Sequence, residues 1–203
     1  MKIFAIVALF AAAAESHAQG DTAVARAYAE RVVTQADSAY VAMFVMSSID
    51  ESEFHLAFMD LDLHKPMRPL PLSMDSVRQL ATLRQKDMKT WLVKFDAVDP
   101  PKSFEASHKS MLQSIETAVA ETDSLDLAAG SCSEALKLQR APAIVPRICA
   151  PPFNRAMERI DGAIKAYVDA RERIAGRLEG LGTRLSKLPD RDAELVVARP
   201  SRP

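Results

Sequence analysis

The sequence predicts an all-α fold: an antiparallel four-helix bundle with a disulfide-closed loop before the last long helix. Three observations lead there. Apolar residues recur three or four apart along four long segments, the spacing of one helix face. Proline pairs at Pro100-Pro101 and Pro151-Pro152 interrupt that pattern where a helix would lose backbone donors. Only 6% of residues are aromatic and six are glycine, which argues against sandwiches, barrels and glycine-rich phosphate loops.

The chain begins with an export signature. Lys2 supplies a positive start, Ile3 to Ala14 is an unbroken apolar run, and Glu15 precedes Ser16-His17-Ala18. Small residues at Ser16 and Ala18 suit cleavage after Ala18, with a cut after Ala14 as the alternative. The run of 12 residues is shorter than the ~20 a membrane span needs. No cysteine lies near the cut to carry a lipid. The expected organisation is therefore a signal peptide at 1–18, a helical bundle domain at 19–189 and a disordered tail at 190–203. The mature chain is expected to lack a membrane span and to be secreted or periplasmic.

The first helical stripe runs through Val24, Tyr28, Val32, Gln35/Ala36, Ala39, Met43 and Met46, leaving Arg26, Glu30 and Asp37 off it. A long connection follows, from about Ile49 to Leu72. It holds Phe54, Leu56, Ala57, Phe58, Leu61 and Leu63, enough for a short extra helix begun by Asp50, then an extended Met67-Arg68-Pro69-Leu70-Pro71. Ser73 is a good N-cap for the second helix, with Asp75 near its positive dipole end. That stripe (Val77, Leu80, Leu83/Arg84, Met88, Trp91/Leu92, Phe95) halts before Asp99-Pro100-Pro101. Ser103 can cap the third helix, whose stripe is Phe104, His108, Met111, Ile115, Ala118/Val119, Thr122, Leu125 and Ala129; Gly130 is the expected stop. The fourth helix is expected after Pro151-Pro152, carrying Phe153, Met157, Ile160, Ile164, Val168, Ile174/Ala175, Leu178, Leu181, Leu185 and Leu188 up to Pro189.

Cys132 and Cys149 enclose 16 residues, and in an oxidising compartment the isolated pair predicts one disulfide. Pro142 and Pro146 mark the second half of the enclosed segment as a loop. Closing it restricts the unfolded chain by roughly 3 kcal/mol in the chain-entropy treatment. A redox pair or metal thiolates would need Cys-x-x-Cys or histidines at ligand spacing, and neither pattern occurs.

His108, on the apolar stripe of the third helix, is the most distinctive residue. A neutral imidazole there could ligate haem iron, with a thioether from Met111, Met43, Met46 or Met88. The plainer reading is a seam histidine hydrogen-bonded to Glu105 or to the Lys109 backbone. Asp60, Asp62 and His64 alternate, so on an extended strand they would share a face with Glu53 or His55 as a metal site. A polar face beside Phe58, Leu61 and Leu63 is the simpler account. Paired Glu-x-x-His motifs, a nucleophile elbow and His-Glu-x-x-His are missing, so neither an enzymatic activity nor a cofactor is expected.

A net charge of −1 provides no reason to expect nucleic acid as a partner. The distribution is more informative. Residues 1–136 carry 12 basic and 19 acidic side chains, while residues 137–203 carry 14 and 8. Arg155, Arg159, Lys165, Arg171, Arg173, Arg177, Arg184 and Lys187 belong to the fourth helix, and the third carries only acidic charges between Glu116 and Glu134. Either the two helices neutralise each other, or the basic face docks an acidic partner or an anionic envelope surface. Gly176-x-x-x-Gly180 adds a close-approach motif suited to another helix, including one from a second copy in a homodimer. The export signal, Asp99-Pro100-Pro101 and Phe104-x-x-x-His108 resemble, in composition, extracytoplasmic bacterial helical-bundle proteins, a resemblance that implies no activity. The expectation is an exported, non-enzymatic bundle that binds a protein partner or scaffolds the envelope. The alternative is a small-ligand or haem-binding bundle using His108 and Met111.

Overall fold

A computed structural model describes residues 22–49, 60, 70, 73–138 and 145–188. Among them all regular structure is helical and falls into four long helices. The expected signal at 1–18, the tail at 190–203 and the acidic segment at 50–64 apart from Asp60 lie outside the described residues.

The first helix, α1, covers residues 22–47: α-helical 22–28, a π-helical turn Ala29–Val33, and α-helix Thr34–Ser47. Thr34 donates both its backbone N–H and its hydroxyl (3.2 Å) to the Ala29 carbonyl, five residues back. A π turn holds one residue more than an α turn and so rotates everything after it relative to everything before. This alters which residues face inward. Ala25 and Tyr28 are buried before it, and Ala29, Val33, Ala36, Asp37, Tyr40 and Met43 within or after it. A constant 3.6-residue period puts Val24 inside and Asp37 outside; in the structure Val24 is 58% exposed and Asp37 only 5%.

Helix α2 is Met74–Asp96. As expected, Ser73 caps it: the side chain accepts from the Ser76 N–H at 3.0 Å. Val77, Ala81, Met88 and Phe95 are buried, whereas Leu83 is exposed despite lying on the predicted stripe. The chain leaves the helix ahead of Pro100-Pro101, where the ring of Pro100 disfavours helical backbone at Asp99.

Helix α3, Glu105–Lys137, follows a 3₁₀ turn, Lys102–Phe104. Ser103 lies inside that turn rather than capping, and Phe104 takes the N-cap position with its ring buried. Gly130 does not stop the helix. A Cβ there would sit 3.4 Å from Arg78 Nε, so the glycine leaves space for that side chain while α3 continues for two more turns.

Helix α4 is Val145–Glu179, with Pro151 and Pro152 inside it rather than ahead of it. It also ends earlier than the apolar pattern suggests. Gly182 adopts φ 70°, its N–H donates to the Glu179 carbonyl (3.0 Å), and the Thr183 N–H reaches back to Leu178 (2.9 Å). Such a left-handed glycine terminates helices because it redirects the chain onto the last free carbonyls. Residues 183–188 are not helical, yet Leu185 and Leu188 still pack on the core, which accounts for the continuing apolar pattern.

Cys132 and Cys149 form the expected disulfide, with Cα atoms 4.9 Å apart and both side chains buried. Both belong to helices, so the bridge fastens the last turns of α3 to the first turns of α4 rather than closing a wholly irregular loop. The most extensive packing is between α3 and α4, then α2 and α3; α1 lies against α2 and α4. Asp75, at the start of α2, accepts from Ser133 and Lys137 near the end of α3 (3.0 and 3.3 Å). Arg159 of α4 reaches Glu121 of α3 (2.9 Å), and Arg26 of α1 reaches Thr183 beyond α4 (3.2 Å). Residues from all four helices form one apolar cluster.

Candidate functional site

The least expected chemistry lies between α1 and α4. Arg171 grips Asp37 with two parallel bonds, Nε to Oδ1 at 2.8 Å and Nη2 to Oδ2 at 2.7 Å. Tyr167 donates its hydroxyl to the same Oδ1 (3.0 Å), and Arg171 Nη2 also donates to the Ser186 carbonyl (2.5 Å). Tyr40 stacks on the Tyr167 ring at 5.9 Å. Arg171, which the sequence places among the exposed cations, is buried. Burial raises the Asp37 carboxyl above its usual range, and the Arg171 hydrogen bond and charge, then Tyr167, pull it back in part. Burial, then the neighbouring Asp37, raises Tyr167 well above the ordinary phenol value. A fork-to-carboxylate pair with a third donor holds α1, α4 and residues 183–188 in one register, and it carries no exposed nucleophile.

The second cluster surrounds His108. Its Nδ1 lies 2.8 Å from the Tyr28 hydroxyl, and its ring stacks on Phe95 at 4.1 Å. Phe104 stacks on Tyr28, 5.5 Å between ring centroids. The hydrogen-bond partner thus comes from α1, not from Glu105 or the Lys109 backbone. Burial lowers the His108 pKa from 6.5, opposed by the Asp96 charge, and burial raises that of Tyr28. Met111 is fully buried one turn along the same face of α3. His108 and Met111 would therefore approach a shared ligand from the same helix. Neither residue lines the open groove of about 660 Å³ between α1 and α4, where Phe44, Ser47, Asp161, Lys165, Val168 and Asp169 meet. Among the described residues, no three His, Cys, Asp or Glu side chains gather as a metal cage.

The charged surface is sorted by neighbour. The acidic stretch of α3 pairs largely with α2: Arg78 with Asp126 at 3.1 Å and Lys89 with Asp123 at 4.0 Å. Between α3 and α4 the ion pair is Arg159–Glu121. At 3.6 residues per turn, Arg155, Arg159, Arg173 and Arg177 fall within roughly 40° of one another on one flank of α4. All four are exposed. The acidic Asp161, Glu172 and Glu179 fall on the opposite flank, while Glu158 and Asp169 occupy the outer rim between them. Arg155 donates to the Pro151 carbonyl (3.1 Å); Arg173 and Arg177 have no ion pair among the described residues. Gly162 and Gly176 leave open space on the outside of α4.

The sequence singles out His108, the cysteines and the cationic helix, and of these the cysteine pairing is formed as expected. Sequence reasoning missed Asp37 and its pairing with Arg171, because a uniform helical period puts Asp37 in water. The one available signal was Arg171 itself: it lies three residues before Ile174, near the apolar stripe of its helix. No protein-family model, curated protein or solved structure matches the chain. Among the described residues no helix is long and apolar enough to cross a membrane.

Proposed function

We propose that this chain is an exported, non-enzymatic antiparallel helical bundle that binds an acidic protein partner through the arginine flank of α4. The antiparallel arrangement draws support from the contacts of helix ends, Asp75 with Lys137 between α2 and α3, and Arg26 with Thr183 beside α1 and α4. The export half rests on the Cys132–Cys149 disulfide, a bond that persists in oxidising compartments.

One observation carries the binding half: Arg155, Arg159, Arg173 and Arg177 line one exposed flank of α4, bordered by Glu158 and Asp169, and no ion pair is formed by Arg173 or Arg177 among the described residues. Like charges four residues apart repel by a few tenths of a kcal/mol. Glu121 relieves the first pair by binding Arg159, and an external carboxylate between Arg173 and Arg177 would do the same for the second. A second copy presenting this same flank would set arginine against arginine, so an acidic partner fits better than a homodimer through it.

The test is crosslinking in the native envelope from a photoreactive residue at Ala166, beside the flank. Adducts with an acidic protein should disappear in the double variant Arg173→Glu/Arg177→Glu, with at least tenfold weaker binding of the purified pair. Recovery of the monomer alone, or adducts indifferent to charge reversal, would refute the proposal. The alternative, a ligand- or haem-binding bundle, rests on the buried, neutral-leaning imidazole of His108. A Soret band abolished by His108→Ala would put it first.

A further inference from the structure

We infer that residues 183–188 form an acid-released strap: protonation of Asp37 detaches Arg171 from the core, and with it the Ser186 carbonyl that holds the strap down. The geometry begins at Gly182, where the left-handed turn sends the chain back toward the helix it has just left. Ser186 follows Arg171 by 15 residues, yet its carbonyl accepts from Arg171 Nη2. Leu185 and Leu188 are half-buried against the apolar cluster, and Thr183 accepts from Arg26 Nε at 3.2 Å. Of these three attachments, only the one through Arg171 is coupled to a buried acid.

The same guanidinium serves both ends. While Asp37 is ionised, two parallel bonds point Arg171 inward and leave an Nη2 hydrogen for Ser186. Once Asp37 is neutral, Arg171 is a buried cation without a counter-ion, a state that strongly favours moving it to water. Nη2 is bonded to the Ser186 carbonyl, so withdrawal of the guanidinium breaks that attachment. Tyr167 stays with the carboxyl, and the exposed Arg184 and Lys187 add repulsion between a freed Arg171 and the strap.

The sign follows from linkage. In the strapped form Arg171 lowers the proton affinity of Asp37; when Arg171 leaves, Asp37 remains buried and its affinity rises. The open form binds the proton more tightly, so acid populates it. The other groups facing this cluster are Tyr40 and Tyr28 on α1, His108 on α3 through Tyr28, and Asp96 on α2 through His108. His108 is the competing titration, because its pKa lies below 6.5.

Methyl NMR of the full, oxidised chain with labelled leucines tests the strap. From neutral to about pH 4, the Leu185 and Leu188 signals should move together to solvent-like positions, with a midpoint above 3.8, while buried Leu125 stays in place. Asp37→Asn, which mimics the protonated acid, should show the open strap already at neutral pH. In His108→Gln the transition should survive at the wild-type midpoint. Leucine signals that stay flat across the range, a wild-type transition retained in Asp37→Asn, or loss of the transition in His108→Gln would each overturn the inference. The wild-type and His108→Gln titrations decide it even if Asp37→Asn does not fold.

Discussion

Replacing Arg171 with methionine fills much the same space but strips Asp37 of its counter-ion, leaving the carboxyl 5% exposed with only the Tyr167 hydroxyl. Removing one member of a buried ion pair costs about 3–5 kcal/mol, because the remaining charge has no compensation. For a chain of this size each kcal/mol corresponds to about 2–4 °C, so the melting temperature should fall by roughly 6–20 °C. The loss should depend on pH with a definite sign. Without Arg171 the Asp37 pKa rises further above its unfolded value, so the folded state binds the proton first. The penalty is then full above the folded pKa and shrinks as pH falls through it. Urea unfolding near neutral and mildly acidic pH measures this, and the defect should be smaller in acid. The double variant Asp37→Leu/Arg171→Met removes both charges and should recover to within about 1 kcal/mol of wild type, or exceed it. A single-variant loss under about 1 kcal/mol, a defect that grows in acid, or a double variant as weak as the two losses added together would refute the reasoning.

Other expectations can be checked with the same unfolding assays. Reducing the Cys132–Cys149 bridge, or replacing both cysteines with alanine, should cost about 3 kcal/mol, seen as a lower melting temperature in reductant. His108→Ala leaves the Tyr28 hydroxyl buried without its partner, a cost of about 1–3 kcal/mol. Because burial lowers the His108 pKa, wild-type stability should fall as pH drops below 6.5, and urea midpoints of the variant should lose that slope. Gly162 is exposed within α4 and an added Cβ meets nothing, so Gly162→Ala should raise the melting temperature, gaining about 1 kcal/mol. Gly182→Ala should instead lose about 1 kcal/mol or more, because φ 70° strains an L side chain.

Local chemistry in the chain was enough to determine much of this protein. The 3.6-residue recurrence of apolar side chains assigns long helices, Ser73 begins α2 as a cap, and the proline pair after Asp99 separates α2 from α3. The isolated cysteines could be paired because each had only the other. The cap and the proline stop act within a turn or two, where little else competes with them. Other features depended on what lies opposite. Gly130 and Pro151 are helix breakers on local propensity, yet α3 runs past the one beside Arg78 and α4 encloses the other beyond a disulfide. Asp37 reads as a surface residue until the π turn at Ala29–Val33 rotates it inward, toward an arginine 134 positions away. A partner that distant leaves no local periodic trace, because the free energy of burying a charge depends on whether its counter-ion arrives with it.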